Sequence, residues 1–594
     1  MQKRRPAIKP PATLVSRTRP RTIVVTLALF VLTFVVLELS SYTTKSATWD
    51  EPIHVTMGYL ALTRHDYRAD PEHPPFLRMW AALPLAAMRG ITVTTADIDR
   101  ETDADWVSKL VDFAHEFLYI RNDADRLLYA ARFMIVVWGT ILGVLVFAWA
   151  YEWLGFLPAL IALTFYTLEP NIAAHASLVT TDLGLTCFMF GTVYFLWRTA
   201  RRLTVANVAG LTVCFSLAVV SKFSAILLGP IVVLLLAVAV WQRSAVTLRV
   251  AGAIIGLLAV AAFVSIWAIY GFRYAPSPSP TWLFHLQQVA FRWGDGEGRE
   301  TAAQRVPLTA AVAGWIDHHH LLPNAFTQGF LLGQAKAQGR WAFLAGSVSH
   351  GWWYYFPVAF LIKTPIALLA LAATGVVVLV KRRSQLGLMN EAFVALPIAV
   401  YGGVAMASQL NIGLRHILPI YPFVLLVAAA AARELMAKGH AGRVALGVVA
   451  LVGVLEFVTV YPHTLTFFNQ FVGGPRNGYR YLADSNLDWG QDLKLLKQWM
   501  DRNSVSHINL AYFGRADPAY YGINATHLLG APSFARAAIH RPTLPGYVAI
   551  SVTHYNGVYL GESGRFFYRP FHYMKPVAEI GNSIRVYWVT YPWW

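Results

Sequence analysis

Eleven apolar runs punctuate this sequence, at about 22–41, 131–150, 156–169, 181–199, 203–221, 223–241, 247–271, 355–380, 391–408, 415–436 and 442–461. A helix needs ~20 apolar residues to cross the hydrocarbon core of a bilayer. Most of the runs meet that length; the run 156–169, which stops at Glu169-Pro170, falls short. Inside lipid every backbone N–H and C=O must be satisfied within the protein, which leaves helices and closed barrels. Runs this long and uniformly apolar are helical, so the fold class is an α-helical polytopic membrane protein with about 11 transmembrane helices. Composition excludes the alternative of a soluble enzyme. Charged residues make up 14% of the chain, where a soluble protein carries about 25%. Cys187 and Cys214 both sit in apolar runs and read as small buried hydrophobes, not as a disulfide framework.

The net charge of +17 suggests a nucleic-acid partner, but a membrane protein has a simpler source of bases. Cytoplasmic connectors are enriched in Lys and Arg. Residues 1–21 hold seven bases and no acid, and they precede a run too long for a signal-peptide core. We read 1–21 as a cytoplasmic tail before an uncleaved first span. Arg198, Arg201 and Arg202, then Arg243 and Arg249, then Lys381, Arg382 and Arg383, then Arg433, Lys438 and Arg443 all fall in connectors on the same side as that tail. Nucleic acid is not needed to explain the charge. An odd number of spans puts the C-terminus outside. The outer face then shares the segments 42–130, 272–354 and 462–594. The organisation is a tail (1–21), a transmembrane module (22–461) and a small extracytoplasmic C-terminal domain (462–594). In that last part "LDWGQDLKLLKQWMDRN" has helical spacing, with Asp488 and Gln491 placed as a capping box. "HINLAYFG", "GYVAISVTHYNG" and "SIRVYWVTYPWW" have the β-branched and aromatic content of strands. The domain reads as α/β.

Two short outer loops break the charge rule, one with Lys222 ("VVSKFSA") and one with Arg415-His416 ("NIGLRHILPIYPF"). A base at the outer edge works against orientation. It either snorkels to headgroups or holds an anion such as a lipid phosphate, for which Arg offers a bidentate fork and Lys a point charge. Four acids share that face: Asp50 and Glu51 after the first run, Glu72 in "ADPEHPPFLRMW" and Asp182 in "HASLVTTDLGL". Each alone passes for a solvated loop residue or a helix cap. Together with two bases they describe a polar cavity at the water boundary, and ionisable groups there are functional candidates.

In this order and on this side, the residues resemble the glycosyltransferase C superfamily. Within it they are similar to the group of protein O-mannosyltransferases and lipid A aminoarabinose transferases. The carriers are the pair Asp50-Glu51, "EHPPF" (72–76), Asp182, Lys222, "GWWYYFPVAFLIKTP" (351–365) and "RHILPIYP" (415–422). The resemblance spans about residues 40–425. "LADSNLDWGQDL" (482–493) also looks like a stretch found in bacterial members, with no role attached to it.

The resemblance implies a helical bundle of the superfamily's type, with amphipathic helices of the first outer loop lying on its surface. "PIHVTMGYLAL" fits such a helix, with Ile53, Met57, Leu60 and His54 on one face. It also implies transfer of a sugar from a polyprenyl-phosphate carrier to a protein, lipid or glycan acceptor, in a bacterial inner membrane. Asp50 matches the general base, which takes the acceptor's proton in a single inverting displacement. Glu51 supports it or orients the acceptor, and Asp182 matches a second acidic position. Lys222, Arg415, His416 and Lys363 are the expected contacts of the donor phosphate. Glu72 and His73, with Trp352, Trp353 and Tyr354, are the expected substrate contacts. The aromatic run reads equally as an interfacial belt. Glu72 also matches a metal-linked position, so a divalent metal ion is a possible cofactor; His73 stands where those relatives carry Lys. Asp317 to His320 ("DHHH") and His350 lack a strong zinc spacing. A transporter, or a receptor with an outer ligand-binding domain, is the competing expectation.

Overall fold

The helix Tyr421–Ala437, entered through the 3-10 turn Leu414–Ile420, is the axis of the molecule: it is buried over nearly its whole length. Its Ala428–Ala432 run is small enough for neighbours to approach closely. Helix Ile366–Lys381 does so at Gly375, where a Cβ would stand 2.1 Å from the carbonyl oxygen of Val427. This computed structural model describes residues 18–94, 106–279, 282–291, 300–382, 386–530 and 539–593.

Around that axis stand α1 (Pro20–Tyr42), α5 (Ala124–Leu154), α6 (Phe156–Thr167), the short α7 (Pro170–Ala176), α8 (Asp182–Arg201), α9 (Val205–Val219), α10 (Leu228–Trp241) and α11 (Leu248–Ile269), with later helices Leu388–Ala407 and His440–Val460. All eleven apolar runs are helical for most of their length. Their form departs from eleven plain spans. Among the described residues seven helices are long and apolar enough to cross a membrane, and two bent pairs bring the number to nine. Helix α8 is not among them because it lies inside the bundle; nearly all its residues are buried, so it does not need a lipid-facing composition. Helix α9 has only 15 residues.

The run 355–380 is two helices, Tyr355–Lys363 and Ile366–Lys381, bent by 116°. Pro365 supplies no N–H and disfavours helix in the residue before it. The freed amides of Ile366 and Ala367 donate to the Glu456 carboxylate at 2.8 and 3.2 Å. An acid inside an apolar helix is thus explained by a broken neighbour that needs an acceptor.

The first outer loop forms α2 (Glu51–Arg64), α3 (Phe76–Ala87) and α4 (Trp106–His115). The expectation of a surface helix is corrected here. Helix α2 is buried on almost every side, with Ile53, Met57 and Leu60 packed against Leu110, Phe113, Tyr270 and Phe284. At Gly58 it comes so close to α3 that a Cβ would lie 2.1 Å from the Arg78 carbonyl oxygen.

The C-terminal part holds a five-stranded sheet: β1 (Ile508–Ala511), β2 (Ala525–His527), β3 (Gly546–Ser551), β4 (Ala578–Ile580) and β5 (Ile584–Val589). The order is β2-β1-β3-β5-β4; β1 runs parallel to β2 and β3, and β5 antiparallel to β3 and β4. One face packs on Tyr568, Phe571 and Tyr555. The other takes Leu493, Leu496 and Met500 of the helix Leu493–Arg502. The expected capping box is absent: the helix begins at Leu493, and Asp488 and Gln491 lie before it with other partners.

One ion pair ties the first loop to the bundle. Arg132 of α5 and Glu51 are both fully buried and meet at 2.6 and 2.8 Å in a two-point contact. The remaining Arg132 donors go to the carbonyls of Tyr42, Lys45 and Ser46 at 2.8–3.1 Å. Glu51 also accepts from the amides of Thr48 and Val179. Glu51→Gln leaves the guanidinium buried without its counter-charge, a loss of about 3–5 kcal/mol. The expected reading is a clear fall in the melting temperature of the detergent-purified protein, partly recovered in Glu51→Leu/Arg132→Met. A Glu51→Gln protein that melts like the wild type contradicts the pairing.

Candidate active site

Asp50 is the residue before the first turn of α2, and its carboxylate caps nothing. While Glu51 turns inward to Arg132, Asp50 turns to Arg415, whose Nη1 donates to Asp50 Oδ2 at 3.0 Å. The same nitrogen lies 3.4 Å from Asp182 Oδ2, and Lys222 Nζ is 2.5 Å from Asp182 Oδ1. Asp182 opens α8, Lys222 follows α9, and Arg415 stands in the turn that opens the axial helix. Four helix ends therefore deliver one chain of charges: Asp50, Arg415, Asp182, Lys222.

Burial alone raises the Asp50 carboxyl, but Arg415, with Arg515 and Arg340, outweighs it and holds the group below the usual carboxylate range. Asp50 is ionised at neutral pH. His54, one turn along α2, donates from Nδ1 to the Val179 carbonyl at 2.8 Å. Burial lowers its ring below the usual histidine range, so it is neutral with Nε2 unprotonated. His73 is lowered further by burial and by Lys222, and its ring stands 5.7 Å from that of His54. Arg78 clamps this loop by donating to Asp70 and to the His73 carbonyl.

The segment 482–493, which the sequence left without a role, forms a wall of the site. The Arg415 guanidinium lies 4.2 Å from the ring centroid of Trp489 and donates from Nε to Ser485 Oγ at 3.2 Å. Asn486 Oδ1 accepts from the Leu414 amide at 3.0 Å. At Gly413 a Cβ would meet Ser485 Oγ at 2.1 Å, so only glycine lets the two segments close. Trp49 is bonded through its amide to the Trp489 carbonyl at 2.8 Å and stacks on Phe513 at 4.6 Å. Arg515 lies 4.6 Å over the Trp49 ring, and Arg340 5.8 Å over Tyr559, whose hydroxyl donates to Asp484. Trp49, Trp489, Arg340 and Arg515 are the residues that sequence reasoning missed. Trp489 lies inside the stretch 482–493 and Trp49 directly before the acidic pair; the two arginines lie in loops with no pattern around them.

Of the expected residues, Asp50, Asp182, Lys222 and Arg415 come together, with His416 beside them. The Nε2 of His416 is buried without a hydrogen-bond partner. Lys363 is fully buried and spends its ammonium on the carbonyls of Leu465, Phe467 and Asn486. It anchors the C-terminal segment to the helix Tyr355–Lys363 and has no donor left for a phosphate. Trp352 is half-buried, with its amide bonded to Asn411; Trp353 and Tyr354 are exposed, as a belt requires. From that run it is Tyr355 that turns inward, accepting from Asn486 Nδ2 at 2.9 Å.

Glu72 pairs with the Lys336 ammonium, which outweighs the effect of burial and holds Glu72 below the usual range. Among the described residues no three of His, Cys, Asp or Glu converge as a metal set. His318 to His320 are exposed, with His320 stacked on Tyr274, and His350 stacks on Trp341. The donors present do not fit the divalent ion expected at Glu72.

Residues 117–269 match the sequence model of the family described as dolichyl-phosphate-mannose-protein mannosyltransferase. That stretch contains Arg132, Asp182 and Lys222. The match bears out the resemblance over that stretch, and the apolar helices bear out the reading of a multi-pass membrane chain. No curated protein sequence matches significantly. Among solved structures, ArnT from Cupriavidus metallidurans in the apo state aligns over 95% of this chain and 98% of its own, at 14% identity and a TM-score of 0.36. ArnT bound to undecaprenyl phosphate aligns over 96% and 98%, at 12% and 0.36. The Archaeoglobus fulgidus oligosaccharyltransferase tethered to an acceptor peptide aligns over 92% of this chain and 71% of its own, at 11% and 0.45.

Asp488 carries a test of how the wall is held. Its carboxyl is buried, accepts from the Thr553 amide at 2.9 Å, and is pushed up by burial to about 8. An unfolded Asp titrates near ~3.9. Because the folded value is raised, the stability this group allows is full below about pH 4 and is lost as pH rises towards 8. Asp488→Asn is expected to gain melting temperature relative to wild type across that window. Parallel curves for the two proteins from pH 5 to 8.5 contradict the burial effect.

Proposed function

We propose that the protein transfers a sugar from a polyprenyl-phosphate carrier to an acceptor hydroxyl at the outer face of a bacterial inner membrane. On this reading the N-terminus is cytoplasmic and 462–594 lies outside. The observation that carries it is the contact between an ionised Asp50 and Arg415, within one charge chain with Asp182 and Lys222. It sets a proton acceptor directly beside one cation, Arg415, which Asp182 links to a second, Lys222.

The acceptor oxygen attacks the anomeric carbon as the bond from that carbon to the phosphate oxygen breaks. The bond pair leaves on the carrier phosphate, and Asp50 takes the acceptor's proton. One displacement inverts the anomeric centre. Lys222 and Arg415 face charge that grows on the leaving phosphate, where fixed cations act most strongly. In the absence of ligand they are balanced by Asp182 and Asp50, so neither is buried without a counter-charge. The packing of the C-terminal segment onto Arg415 weighs against a receptor whose outer domain binds ligands alone.

Membranes holding the protein, supplied with radiolabelled polyprenyl-phosphate sugar, are expected to transfer label to an endogenous acceptor. Asp50→Asn should lower the rate by roughly 10²–10⁴, and Lys222→Gln should lower it while Asp50 remains. Transfer by Asp50→Asn at the wild-type rate overturns the role of Asp50. Absence of transfer with every donor tried overturns the reading.

A further inference from the structure

Two arginines stand on two tryptophans around Asp50, and they differ in one respect. Arg415 on Trp489 is engaged through Nε and Nη1, by Ser485, Asp50 and Asp182. Arg515 on Trp49 has no ion pair or hydrogen bond among the described residues, and its Nε is buried without a partner. A guanidinium offers five donors in a rigid fork, and an unpaired donor out of water is costly. Such a group persists where a ligand completes it. The carboxylates nearest in its field, Asp50, Glu72 and Asp70, are each held by another base: Arg415, Lys336 and Arg78.

Arg515 arrives by a definite route. It follows β1, one of three parallel strands, and the loops after the carboxyl ends of β1 and β3 meet at the site. The Phe513 amide donates to Ser551 Oγ at 3.0 Å, and the Thr553 amide to Asp488, beside Trp489. Ligands of open α/β sheets bind at such carboxyl ends. Arg415 reaches Asp50 from the turn that opens a membrane helix, and Lys222 stands behind it on Asp182; Arg515 enters the field of Asp50 from a different element, the loop after β1 of the C-terminal sheet. The leaving group and the attacking hydroxyl lie on opposite sides of the anomeric carbon in an inverting displacement.

Resting on the proposed transfer reaction, we propose that Arg515, stacked on Trp49, is an acceptor-side anion subsite. It binds a phosphate or carboxylate oxygen carried near the acceptor's attacking hydroxyl, and so aims that hydroxyl at Asp50. The acceptor is an acidic molecule, and the C-terminal domain completes the active site.

The test uses the full chain in nanodiscs, with undecaprenyl phosphate as the lipid probe and glycerol 3-phosphate as a minimal hydroxyl-bearing phosphate. Calorimetry on the lipid-loaded wild type is expected to show saturable glycerol 3-phosphate binding, and none for glycerol. Arg515→Gln should weaken that binding at least tenfold and leave lipid affinity within twofold, which also shows that the variant is folded. Arg515→Lys, which keeps the charge and loses the fork, should fall between. Three results overturn the subsite: a lipid-loaded wild type that ignores glycerol 3-phosphate, equal binding of glycerol, or an Arg515→Gln loss as large for the lipid as for the small phosphate. A wild type that binds no undecaprenyl phosphate overturns the transfer reading itself.

Discussion

The Glu51–Arg132 pair is the constraint on which the candidate site depends. Two charges without access to water are tolerable only with close geometry and every spare donor used. Here the guanidinium satisfies both carboxylate oxygens and three backbone carbonyls of the segment 42–46. The segment between the first helix and α2 is therefore fixed to α5. Because successive residues at a helix start point in different directions, turning Glu51 inward turns Asp50 toward Arg415. The acidic pair is one device with two parts, an anchor and a half-buried carboxylate held by Arg415.

The second constraint is the C-terminal segment. Lys363 donates to three carbonyls of the stretch 465–486, and Asn469 bonds back to the carbonyls of Leu361 and Thr364. These contacts sit beside the break at Pro365, where a bent helix exposes backbone groups. A broken helix and a docked segment satisfy each other. The result carries Ser485 and Trp489 against Arg415, and it makes the sheet beyond them part of the site's wall.

Apolar length and the alternation of bases were enough to read the helices, since lipid permits little else. The sequence could not show where those helices bend or hide. Glu456 and Pro365 are 91 positions apart by their numbers, and α8 looks like a span although its neighbours shield it. In the site, Lys222 and Arg415 were legible because they broke the charge rule at the outer membrane edge, and Asp50 and Asp182 because they share that face with them. Glu51 and Lys363 were expected there too, and the structure spends both on anchoring. Residue type marks a buried charge as costly; only partners reveal whether the cost serves packing or chemistry. Arg340 and Arg515 were illegible for the opposite reason, since an arginine in a polar loop violates nothing.

The charge chain also couples the two halves of the proposed reaction. Without ligand, Arg415 divides its Nη1 between Asp50 and Asp182, and it is the foremost charge holding the Asp50 carboxyl low. A carboxylate so held is a weak proton acceptor. A carrier phosphate brings one to two further negative charges to Lys222 and Arg415 and competes with Asp50 for the guanidinium. As Arg415 turns to the phosphate, Asp50 loses the neighbour that most opposes its burial, and its affinity for a proton rises. The base strengthens when the donor is in place, which is when the acceptor's proton must leave. In the proposed reaction Arg415 is then both the contact of the leaving group and the control on the base.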